Sequence, residues 1–102
     1  MSQEESYEAL AEAERLLGEA ESHPEAAAAA AREALKALLL EWGETPGPES
    51  VAGLLEQAAK TDDTLLEFHA EAEVLDRFNP EADAAERAKI FVDAARARLV
   101  NI

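Results

Sequence analysis

The sequence predicts an all-α protein, an up-and-down antiparallel bundle of four main helices and one short helix. Three observations predict it. Apolar residues recur at steps of three and four along most of the chain, which lines them up on single helical faces. No run alternates apolar and polar residues with enrichment in β-branched side chains, so no sheet is expected. Break signals fall between the periodic stretches at helix-length intervals, and they leave short connections that favour antiparallel neighbours.

The first candidate helix covers 4–21. Tyr7, Leu10, Ala13, Leu17 and Ala20 share one face, and Leu16 widens it. Glu8, Glu12, Arg15 and Glu19 fall largely on the other. Ser22-His23-Pro24-Glu25 then breaks the pattern. Ser22 and Glu25 have capping-box spacing, and Pro24 is tolerated in a first turn because its missing N–H would have no partner there. The second helix runs to Trp42, with Ala28, Ala31, Leu35, Leu38, Leu39 and Trp42 marking its buried side, and Gly43 stops it. Its alanine run, 26–31, lacks bulky side chains and allows another helix close approach.

Glu44-Thr45-Pro46-Gly47-Pro48 cannot continue a helix and reads as the longest loop. A short helix near 49–60 aligns Val51, Leu54, Leu55 and Ala58. The cap-rich turn Thr61-Asp62-Asp63-Thr64 leads into a fourth helix over 63–77, with Leu65, Phe68, Ala72 and Leu75 in register. Asn79-Pro80 restarts the chain, Asn as cap and Pro in the first helical position. The fifth helix, from 80 to about 100, aligns Ala84, Ala88, Phe91, Ala95 and Leu99.

One domain accommodates all 102 residues, because domains commonly run about 100–150 residues. The hydrophobic fraction of 48% suits a globular chain, though alanine makes up much of it. Thirteen leucines and few aromatics form a small bulky core, which predicts a homodimer. With no cysteine there is neither a disulfide framework nor a thiolate site nor a cysteine nucleophile. The acidic start Met1-Ser2-Gln3-Glu4-Glu5 has no apolar signal region and no stretch is long enough to span a membrane, so a cytoplasmic location is expected. The formal net charge of -14 disfavours direct binding to a nucleic-acid backbone, since such a chain repels phosphate.

The chemistry-bearing patterns are few. Di-iron bundles need Glu-x-x-His pairs, whereas Ala20 precedes His23 and Leu66 precedes His69 at that spacing. His69 and Glu73 are four apart and share a face, which is too little for a metal, so neither a metal nor a cofactor is expected. Hydroxyl residues cluster at helix ends, where capping explains them, and no nucleophile elbow or glycine-rich phosphate loop is present. Most of the 18 glutamates read as solvated helix faces, with Glu73 placed to pair with Arg77. Two pairs stand out. Arg32 and Lys36 lie one turn apart in an otherwise apolar stretch, and Asp76-Arg77 ends the fourth helix. A bundle that brings them together would make a small pocket for a phosphate, a carboxylate or a partner's side chain.

At these residues the chain resembles the HEPN superfamily of helical domains. The second helix, with Ala34-Leu35-Lys36-Ala37-Leu38-Leu39 before Gly43, resembles that family's alanine-rich helix, and Leu75-Asp76-Arg77-Phe78 resembles its Leu-Asp-Arg-Tyr element. The resemblance implies a helical bundle that commonly dimerises. Its members include RNA-cleaving toxins from toxin–antitoxin pairs, partners of small nucleotidyltransferases, and nucleotide-binding modules. Ribonuclease members use an Arg followed four to six residues later by His, and no histidine follows Arg77 here. The resemblance therefore implies a non-catalytic module that binds a nucleotide or a partner protein such as a small nucleotidyltransferase. Arg32, Lys36 and Arg77 would hold anionic groups and Asp76 would orient a base. A tetratricopeptide-like scaffold is the alternative, although nothing after Gly43 repeats the helical hairpin. A residual ribonuclease using His69 is the third reading.

Overall fold

A computed structural model describes residues 2–77 and 83–100, apart from the side chains of Ser2, Gln3 and Val100. The protein is all-α, with no strand among the described residues. Helix α1 spans Ser2–Ala20, α2 Ala26–Glu41, α3 Val51–Ala59, α4 His69–Leu75 and α5 Ala84–Val100, and a 3-10 helix over Asp63–Phe68 precedes α4. Three helices are long and the rest are short, so the layout differs from four main helices and one short one. The long helices form the body. Ser6 bonds to Glu41, which sets α1 antiparallel to α2 across the tight turn between them. Tyr7 reaches Leu99 and Glu14 reaches Arg96, so α5 also runs antiparallel to α1. It follows that α2 and α5 are parallel and end at the same pole of the molecule. Between them the chain makes a smaller hairpin of α3 and α4 instead of a further full-length helix.

Helix α2 is central because it packs against α1, α3 and α5. Three neighbours need more than one apolar stripe. Ala27, Ala30, Ala31, Ala34, Leu35, Ala37, Leu38 and Leu39 are all buried, while Ala28 and Trp42, expected on the buried side, are only half-buried. All five expected core residues of α5 are buried, as are the four of α3. Phe68 meets Phe91 edge-on, ring centroids 6.0 Å apart, which pins the α3–α4 hairpin to α5.

The helix ends show which local signals act. Gly43 adopts φ 75°, and the amides of Gly43 and Glu44 donate to the Leu40 and Leu39 carbonyls, which makes a Schellman stop. The Ser22–Glu25 capping box does not form. The chain already turns at Pro24 and Glu25, so the first free amides of α2, on Ala26 and Ala27, donate to the His23 and Pro24 carbonyls and leave Ser22 exposed. The fourth helix divides in two. A 3-10 turn sets residues three apart on one line, so Leu65 and Phe68 both reach the core and Leu66 is left 50% exposed. Tyr7 was expected in the core but is 41% exposed, and its hydroxyl donates to the Leu99 carbonyl. Its neighbour Ser6 takes the interior position instead, donating its hydroxyl to Glu41 at 2.9 Å. The Asn79-Pro80 restart lies outside the described residues, as does Phe78.

Candidate functional site

Arg32 and Lys36 do project from α2 one turn apart, both half-buried. The Lys36 ammonium pairs with Glu33 on its own helix at 3.3 Å. Arg32 has no ion pair among the described residues. The Asp76-Arg77 pair is divided between tasks. Both Asp76 carboxylate oxygens accept backbone N–H bonds at the start of α3, Oδ1 from Val51 and Oδ2 from Ala52, each 2.9 Å long. Asp76 therefore serves as a cap on another helix. Arg77 is exposed at the end of α4, and the pair expected with Glu73 is replaced by one between Glu73 and His69 at 3.7 Å. No hydrogen bond or ion pair among the described residues joins Arg32 or Lys36 to Asp76 or Arg77.

His69 stands at the start of α4. Nε2 lies 4.0 Å from Glu56 on α3, and Nδ1 faces Glu73. The His69 side chain thus stands between a carboxylate of α3 and one of α4. Among the described residues no group of three or more His, Asp or Glu side chains is disposed to hold a metal ion.

A second locality emerges at the pole where α2 and α5 end. An open groove of about 490 Å³ is lined by Trp42, Thr61, Asp62, Ala97 and Arg98. Arg98 is held in place by three bonds. Nε donates to Asp62 at 2.8 Å, Nη1 to the Ala94 carbonyl at 3.1 Å, and Nη2 to the Thr64 hydroxyl at 3.3 Å. The Thr64 hydroxyl, with Arg98 beside it, holds the Asp62 carboxyl below its ordinary range. Thr61 donates to Glu44 at 2.8 Å and joins the loop after α2 to the groove's edge. The Trp42 ring is half-buried against the core. Sequence reasoning did not find this groove, because its residues come from three separate segments that share no motif.

No protein-family model, curated protein or solved structure matches the chain. No helix among the described residues is long and apolar enough to cross a membrane.

Proposed function

We propose that the chain is a non-catalytic, HEPN-like helical module that binds a partner protein, such as a small nucleotidyltransferase, through a basic surface of that partner. One observation carries the reading, namely where the charge goes. Six of the nine cations, Arg15, Lys36, Arg87, Lys89, Arg96 and Arg98, are committed to carboxylates of the same chain. Those pairs occupy a minority of the 23 acids. The surface therefore presents negative charge with little cationic charge free to offset it. Such a field speeds encounter with a basic partner and weakens with salt over a Debye length of about 8–10 Å. The packing of α5 against both α1 and α2 supports a closed module over an open tetratricopeptide-like array.

Calorimetric titration with an acetylated, amidated peptide of alternating arginine and alanine tests the reading. Binding that weakens steeply as ionic strength rises is expected. A complete lack of binding at low salt would refute it. A second reading, nucleotide binding at Arg32, draws on that half-buried cation having no ion pair among the described residues. Thermal stabilisation by a nucleotide, abolished in Arg32→Ala, would support it. If no mono-, di- or trinucleotide shifts the melting point, it fails.

A further inference from the structure

We propose that the groove at the shared pole of α2 and α5 is a socket for a single arginine or lysine side chain presented by the basic partner segment. The inference rests on the partner reading above and adds the place and the mode of contact. Trp42 supplies an aromatic surface there, and a cation over an indole ring is the most favourable of the cation–π pairings. The helix directions add to this. Because α2 and α5 are parallel, both bring their C-terminal, partially negative ends to the pole, against the one N-terminal end of α1 that Ser6 and Tyr7 place there, and the balance of helix ends favours a cation.

Acidic groups outnumber basic ones around the groove. Of the lining residues Asp62 pairs with Arg98, while Glu44 reaches the edge through Thr61, and Glu41, Asp63 and Lys60 adjoin lining residues in the sequence. Arg98 cannot itself fill the groove, since its bonds to Asp62, Ala94 and Thr64 fix it as part of the wall. The groove is open to the outside, which suits a side chain delivered by another molecule. The excess of acid at its edge, within a chain of net charge -14, favours a cationic occupant over an acidic one.

Trp42 is the chain's only tryptophan, so its fluorescence reports on the groove alone. The alternating arginine–alanine peptide contains no aromatic residue and serves as the probe. A saturable change in Trp42 emission is expected, and calorimetry should show about fivefold weaker binding to Trp42→Leu, the scale of one cation–π contact. Trp42→Phe, which retains a weaker ring, should fall between the two, and it serves as the measure if the leucine variant loses its helical circular dichroism. Glu8→Gln, on the exposed face of α1, should bind within a factor of about two of the parent, the change one remote screened charge makes.

Equal binding by all three proteins with an unchanged Trp42 emission would overturn the socket while leaving the basic-partner reading in place. No binding by any of them would overturn both. A Trp42 emission shift that grows with protein concentration in the absence of peptide would assign the groove to a second copy of the chain and overturn the proposal.

Discussion

Replacing Asp76 by alanine removes a cap that the chain supplies from 25 and 24 residues past the two amides it serves. The first four amides of α3 are accounted for one by one. Val51 and Ala52 donate to Asp76, Gly53 to the Ser50 hydroxyl, and Leu54 to the Ser50 carbonyl. Asp76→Ala orphans the first two. Ala52 lies where water can replace the carboxylate, so its loss is small. The Val51 bond is partly buried, and an unsatisfied buried donor costs about 1–3 kcal/mol. Losing a negative charge at the helix start adds roughly 0.3–1 kcal/mol. The sum is about 2–3 kcal/mol, a large share of the roughly 5–15 kcal/mol that stabilises a domain. In urea the midpoint should fall by about 1–3 M for a slope near 1–2 kcal/mol/M. Asp76→Asn keeps an acceptor but loses the charge and should cost about half as much. A loss below about 0.5 kcal/mol in Asp76→Ala would show that the cap is not what holds α3. An Asp76→Ala protein of parental stability that no longer binds a nucleotide would instead return Asp76 to a ligand-facing role.

Three further outcomes follow from the packing. Gly53→Ala should destabilise by about 1 kcal/mol or more in urea titration despite alanine's advantage in helices, because a Cβ there would meet the Pro48 Cβ at 2.7 Å and the Ser50 Oγ at 2.9 Å; unchanged or raised stability would contradict the close seating of the loop. Ala34→Leu places a large side chain on a fully buried alanine of α2 and should cost roughly 1–3 kcal/mol, read as a fall in melting temperature. Asp62 titrates below its ordinary value of 3.8 in the folded chain, so its stabilisation is complete above that pH and is lost as pH falls through the lower folded value. Asp62→Asn should therefore be less stable than the parent near neutrality, and the gap should close in strong acid; a gap that persists there would contradict the assignment.

Local signals in the sequence were sufficient wherever one residue type forces one conformation. Gly43 ends α2 because only the left-handed backbone completes its Schellman bonds. The stripes of α3 and α5 are legible because each helix buries one face, so period and burial coincide. The stripe of α2 is less so, since a helix with neighbours on several sides is apolar over most of its girth, and spacing alone cannot rank Ala27 above Ala28. The Ser22–Glu25 pattern matched a capping box that the turn geometry made unnecessary. Ser6 reads as a terminal hydroxyl in the sequence, yet it is buried, with Glu41 meeting it from another helix.

The sequence by itself determined the helical class, the main breaks and most of the core, because these follow from backbone sterics and from the match between apolar spacing and helical pitch. Only the tertiary structure decided the fate of Asp76 and the position of Trp42. A carboxylate next to an arginine at a helix end looks like a binding pair in one dimension, yet the nearest unsatisfied amides belong to α3 and claim it first. Trp42 likewise reads as the last turn of a buried stripe. It becomes the wall of a groove because α2 and α5 run parallel and stop together, a relation between helices that spacing within either one does not encode.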